Sequence, residues 1–193
     1  MDKIVDARGL SCPQPVILTK KAMEGENGDL LTTIVDQTMA LENVSKLASS
    51  QGYDYEVEEK DNAYYIHMSR TDEINIEKGH STEDIAVLVS SRLFGQGDEE
   101  LGQILMNSFL YTLNEMEENI THLLFMNSGI YLTVEGSPVI VHVKALESKG
   151  VEILSCGTCL DFYGLKEKLA VGKVTNMYTA MEVLCKASKT ISV

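Results

Sequence analysis

The spacing of apolar positions changes period several times along the chain, and each change marks an element. Lys3 to Asp6 reads as a short strand, followed by a glycine-containing loop. Apolar positions at helical spacing then predict a helix from about Pro13 to Met23 that stops at Gly25. Leu30 to Val35 reads as a buried strand, and Met39, Leu41, Val44, Leu47 and Ala48 form one helical stripe closed by Gly52. Tyr53, Tyr55 and Val57 alternate with polar residues, Asp61-Asn62 supplies a turn, and Ala63 to Met68 returns as the partner strand. The order is βαβαββ.

Between Arg70 and Ser81 the chain turns polar and charged, as a link between compact units does. The expected division is a first domain over 1–71, a linker over 72–82 and a second domain over 83–193. In the second, Ile85 to Ser90, His122 to Met126 and Val151 to Leu154 read as strands, with a closing strand at Thr190 to Val193. Helices are expected at Glu99 to Glu118, Pro138 to Lys149, a short one near Phe162 to Leu169, and Asn176 to Ala187. Near-uniform apolar strands separated by helices imply a doubly wound, mostly parallel α/β domain covered on both faces. Sites in such sheets gather at the carboxyl ends of the strands, here Ser90-Ser91, Asn127-Ser128-Gly129 and Ser155-Cys156.

Charge narrows the function classes. With 29 acidic against 16 basic side chains the net charge is -13, which repels phosphate backbones and anionic lipid and argues against direct nucleic-acid or membrane binding. Met1 to Asp6 lacks a basic region followed by an apolar stretch, and no segment approaches membrane-span length, so a soluble, cytoplasmic protein is expected. Four cysteines, Cys12, Cys156, Cys159 and Cys185, are too few for a disulfide framework and read as chemistry or metal binding.

Cys12 stands in the run Arg8-Gly9-Leu10-Ser11-Cys12-Pro13-Gln14-Pro15. As a helix N-cap with Pro13 at the first helical position, it would face free N–H groups and the positive end of the helix dipole, which favours thiolate over thiol. Arg8 could add positive charge, or hold an incoming persulfide or an acidic group of a partner. The alternative is a small hydrophobe packed at a strand-helix turn.

The run Asp6 to Val16 resembles the Cys-Pro-x-Pro motif of the TusA/SirA sulfur-carrier family, and the βαβαββ order agrees with that family's fold, a small two-layer βαβαββ sandwich. The resemblance implies that Cys12 takes sulfur as a persulfide and passes it on, with Arg8, Pro13 and Pro15 as its partner-facing surroundings. Gln14 sits where several relatives carry an acid, and its neutrality favours the thiolate. By pattern and size, the second half resembles the DsrE/F-like domain of sulfur-relay proteins. Together the two resemblances imply delivery of sulfur or selenium, a cysteine desulfurase-type donor, a protein acceptor, assembly into homo-oligomers, and no cofactor.

Cys156-Gly157-Thr158-Cys159 follows a strand directly. Such a pair could cycle between dithiol and disulfide; alternatively Cys156 could accept sulfur and Cys159 resolve the product. It is also half a zinc site, to be completed from scattered Cys185, His142 or His122; no metal is expected. Cys185 lies among Met181, Val183, Leu184 and Ala187 and reads as packing. Met106, Phe109, Leu110 and Leu113 read as a core face. Gly95-Gln96-Gly97 lacks full phosphate-loop spacing, and Asp98, Glu99 and Glu100 fill the helix start a phosphate would occupy. The competing functions are a thiol-disulfide oxidoreductase run by Cys156 and Cys159, and a non-catalytic acidic adaptor.

Overall fold

The computed structural model describes residues 3–25, 29–71, 84–116 and 119–193. The chain divides into two compact units, Met1–Lys78 and Gly79–Val193, and the expected 72–82 linker lies outside the described residues.

In the first unit, β1 (Lys3–Asp6), α1 (Gln14–Glu24), β2 (Leu30–Val35), α2 (Thr38–Ser50), β3 (Tyr53–Lys60) and β4 (Ala63–Arg70) follow one another in the expected order. The sheet order is β1-β2-β4-β3, with β1 parallel to β2 and the other pairs antiparallel. Asp61 and Asn62, at φ 53° and 61°, make the left-handed two-residue turn between β3 and β4, a conformation their short polar side chains tolerate. The core is one-sided: Leu31, Val35, Ile66 and Met68 meet Ala22, Met23, Val44 and Ala48 of the two helices. Within it, Thr19 Oγ1 donates to Pro15 C=O at 2.8 Å and lies 3.0 Å from Thr33 Oγ1, so two fully buried hydroxyls satisfy each other.

The second unit contains β5 (Ile85–Val89), α3 (Glu99–Glu115), β6 (Ile120–Phe125), α4 (Ile140–Ser148), β7 (Glu152–Cys156), α5 (Gly157–Phe162), β8 (Lys173–Thr175), α6 (Met177–Lys186) and β9 (Lys189–Ser192). All four strand pairs are parallel, in the order β8-β7-β6-β5-β9. Successive residues of a strand serve opposite faces. Val87, Val89, Leu123, Phe125 and Ile153 pack with Met106, Leu110, Val143 and Leu146 of α3 and α4. Ala86, Leu124 and Leu154 meet Ala180 of α6, with Val183, Leu184 and Ala187 against them. The fold is therefore the mixed α/β class expected, with helices on both faces of a parallel sheet.

Two local expectations are corrected, and two elements appear that the sequence did not assign. The short helix expected near Phe162 to Leu169 forms earlier, as α5, because Gly164 at φ 64° interrupts it; only a 3-10 turn, Lys166–Lys168, follows. A further 3-10 turn, Asn127–Leu132, follows β6, at a position the sequence marked only as a strand end. Strand β8 was not foreseen, since three residues on a sheet edge, two of them exposed, give no apolar run. Cys185 is exposed: the packed row here is buried Ala180 with partly buried Val183, Leu184 and Ala187, and Cys185 falls outside that i, i+3, i+4, i+7 stripe. The core face read at Met106, Leu110 and Leu113 is buried, with Phe109 partly buried against it.

Candidate functional site

In the first unit the chemistry collects where the parallel strands β1 and β2 end. Ala7 N–H donates to Ile34 C=O at 2.8 Å, and Gly9, at φ 71°, turns the chain so that its N–H reaches Asp36 Oδ2 at 2.9 Å. Ser11 to Gln14 then form a tight turn, closed by Gln14 N–H on Ser11 C=O at 3.0 Å, with the Cys12-Pro13 peptide cis. The expected N-cap is thereby displaced. Pro13, at φ -96° and ψ 6°, occupies that position, and helical geometry begins at Gln14 because the turn has already engaged the Gln14 N–H. Of the first helical residues, Gln14 donates its N–H to Ser11 C=O and Pro15 has none, so the helix start offers fewer free amides than a Cys12 N-cap would meet.

Cys12 stands exposed at the corner of this turn. It borders a small cleft lined by Pro15, Val16, Gln37, Met39, Ala40 and Asn43, of which Met39 is 68% exposed. The Cys12 sulfur is therefore reachable from solvent, with an exposed methionine beside it. Arg8 faces a different task. Its Nε donates to Asp6 Oδ1 at 2.8 Å, and its terminal nitrogen pairs with Asp6 Oδ2, a two-point clasp on the strand's last residue. The clasp holds the Asp6 carboxyl at about 2, below the usual carboxylate range, and strengthens the guanidinium's hold on its proton.

In the second unit Cys156 ends β7 and Cys159 follows one turn later in α5, leaving the two sulfurs 2.9 Å apart. Cys156 is buried, at 5% exposure, while Cys159 is partly exposed. Asn127, at φ 49° just beyond the end of β6, donates its N–H to Cys159 Sγ at 3.2 Å, and Tyr163 OH donates to Asn127 Oδ1 at 3.0 Å. Burial and the hydrogen bond with Cys156 push the Cys159 thiol up, against a smaller opposing pull from the Asn127 N–H. Behind the pair, buried Ser155 and Thr133 share a 2.9 Å hydrogen bond that ties β7 to the 127–132 turn. Gly129 lets that turn press on β5: a Cβ there would lie 2.2 Å from Val89 C=O.

The structure thus brings Cys156 and Cys159 together with Asn127 from the expected strand-end row. Tyr163 was missed by the sequence reading. The aromatic pair Phe162-Tyr163, beside the second cysteine, was its available signal; Tyr163 stacks edge-on with both Phe162 and Tyr131. The residues considered for completing a metal site lie elsewhere: His122 contacts Glu152, and His142 stacks on Tyr111. Among the described residues no three metal-ligating side chains converge. The Gly95-Gln96-Gly97 loop leads into α3, whose Asp98 caps the Leu101 N–H at 2.9 Å, while Arg92 pairs with Glu99. No helix among the described residues is long and apolar enough to cross a membrane.

A small sandwich with an exposed cysteine in a Cys-Pro-x-Pro turn at its strand ends defines a sulfur-carrier class of domain. Residues 3–70 match the family described as sulfurtransferase TusA. The "Putative sulfur carrier protein YrkI" of Bacillus subtilis is 41% identical over 54 residues, which span 28% of this chain and 72% of that protein. The "Putative sulfur carrier protein MJ0990" of Methanocaldococcus jannaschii is 44% identical over 52 residues, 26% of this chain and 69% of that one. A SirA-like protein from Desulfitobacterium hafniense shares 35% identity across 34% of this chain and 93% of its own, at a TM-score of 0.32. The ychN protein from E. coli covers 57% of this chain and 98% of its own, at 18% identity and a TM-score of 0.45. The chain belongs to the TusA family, and its first unit is a TusA/SirA-like sulfur-carrier domain.

Proposed function

We propose that the chain carries sulfur, or selenium in the same bonding, on Cys12 and hands it to a protein acceptor. The observation that carries this reading is the exposed Cys12 at the corner of the Cys-Pro-Gln-Pro turn, where a partner's sulfur can reach it from solvent. In loading, the Cys12 thiolate attacks the terminal sulfur of a donor persulfide. A Cys12–sulfur bond forms, the donor's sulfur–sulfur bond breaks, and the donor leaves as its own thiolate. A cysteine desulfurase supplies such a donor. Arg8, fixed by Asp6, shapes the loop next to the acceptor surface, and Pro13 and Pro15 set the turn.

The division proposed is a carrier domain over 1–71 and a DsrE/F-like domain over 83–193, the two-part architecture of YedF-type proteins of selenium metabolism. The second unit's all-parallel, doubly covered sheet with cysteines at a strand end supports that reading. Incubation of the full chain with a cysteine desulfurase and cysteine should add about 32 Da at Cys12. No adduct on the wild type, or an equal one on Cys12→Ala, overturns the carrier role. A second reading, a thiol-disulfide oxidoreductase, draws on the 2.9 Å approach of Cys156 and Cys159.

A further inference from the structure

The two cysteines of the second unit differ in a way that assigns them unequal roles. Cys159 is partly exposed and held by the Asn127 N–H, so a sulfur donor reaches it first; Cys156 is buried and touches solvent almost nowhere, yet its sulfur lies 2.9 Å from that of Cys159. A carrier that only stored or passed on its cargo would be impaired by such a neighbour. A persulfide on Cys159 would sit with a thiol already within striking distance of its inner sulfur, and an intramolecular attack from a fixed position outpaces any external thiol.

We propose that this pair discharges cargo: a sulfane sulfur or selenium atom received on Cys159 is released as sulfide or selenide by Cys156, with a Cys156–Cys159 disulfide left behind. This extends the carrier reading to the second unit, and it reverses the order of roles the spacing first suggested.

The step balances. Cys156, as thiolate, attacks Cys159 Sγ, forming the new sulfur–sulfur bond. The bond from Cys159 Sγ to the terminal atom breaks, its electron pair leaves with that atom, and the proton from Cys156 completes hydrogen sulfide. Across loading and discharge the transferred sulfur goes from sulfane to sulfide, taking two electrons from the cysteine pair, and a low-molecular-weight or protein dithiol restores the pair by ordinary exchange. Asn127 and Tyr163 are positioning residues: their hydrogen bonds fix the turn that holds Cys159 against its neighbour.

The test uses the full chain carrying Cys12→Ala and Cys185→Ala, so that it stands apart from loading at Cys12. Reduced protein is mixed with one equivalent of glutathione persulfide, and sulfide is measured against a donor-only blank while intact mass is followed. The proposal expects one sulfide per chain, a mass lower by about 2 Da, and a linked Cys156–Cys159 peptide. Adding Cys156→Ser should slow sulfide release at least about tenfold and leave about 32 Da on Cys159. Because Cys156 is buried, the folded state of that variant is checked by circular dichroism. The parent protein offers a test free of any substitution at the pair: disulfide must appear at the rate of sulfide. A lasting adduct on Cys159 in the parent, unchanged release from Cys156→Ser, or a mixed disulfide with glutathione as the main product overturns the proposal. None of these results bears on whether Cys12 is loaded by a desulfurase.

Discussion

Gly129→Ala tests whether the turn beneath the cysteine pair is held by contact between backbones. The Val89 carbonyl accepts Met126 N–H at 3.0 Å, joining the end of β5 to the start of the turn, and an alanine Cβ at position 129 would sit 2.2 Å from that same oxygen. The methyl cannot rotate away, and its neighbour is backbone rather than a flexible side chain. Either the turn lifts, leaving Val89 C=O without its donor, or β5 shifts in the sheet. A buried carbonyl left unpaired costs about 1–3 kcal/mol, and forcing an extra methyl into a packed site costs a similar amount. A loss of about 3 kcal/mol in a unit of about 115 residues corresponds to a fall in melting temperature of roughly 12 °C. Differential scanning calorimetry measures it on the full chain. Gly136→Ala is the control: that glycine, unlike Gly129, has positive φ, 82°, but nothing lies within 4 Å of its added Cβ, so the cost is only the left-handed backbone, about 1 kcal/mol. If Gly129→Ala melts no lower than Gly136→Ala, and hydrogen exchange at Met126 and Asn127 is unchanged, the steric argument is wrong.

Two further outcomes follow from the first unit. Asp6 should titrate with a midpoint of about 2 by carboxyl NMR and return to the ordinary aspartate range in Arg8→Ala. Its folded value is lowered, so the clasp contributes stability that is complete above the ordinary carboxylate range and is lost as pH falls from about 4 toward 2. Both side chains are exposed, so the titration is the decisive measurement and the change in melting temperature should be slight. Thr19→Val strands the buried Thr33 hydroxyl and should cost about 1–3 kcal/mol in urea denaturation, part of which Thr19→Val/Thr33→Val restores by removing the orphaned group. A double variant no more stable than the single one would show that Thr33 finds another partner.

Local signals carried the first unit well. The glycine at 52, the Asp61-Asn62 turn and the alternation through Tyr53 and Val57 each act over a few residues, and each element they predict is present. The motif around Cys12 was equally legible as chemistry, since the cysteine, both prolines and Gly9 are adjacent in the chain. Its exact cap was not. Whether Cys12 or Pro13 ends the helix depends on where Gln14's N–H finds an acceptor, and that acceptor, Ser11 C=O, is available only once the turn has closed. Arg8 shows the same limit: the sequence offers a cation near a thiol, and the structure gives it to Asp6.

In the second unit the amino-acid order determined that strands and helices alternate, and hence a parallel sheet with both faces covered, because strands apolar on both faces need cover on each side and the intervening helices supply it. It also placed Cys156 and Cys159 at a strand end. Tertiary structure alone decided that one of them is buried and the other accessible, that their sulfurs lie 2.9 Å apart, and that Asn127, thirty-two positions from Cys159, supplies the hydrogen bond that holds it. Periodicity reports which face of an element meets the core; which strand ends become neighbours is set by the sheet order, β7 beside β6, and by the close approach that Gly129 permits.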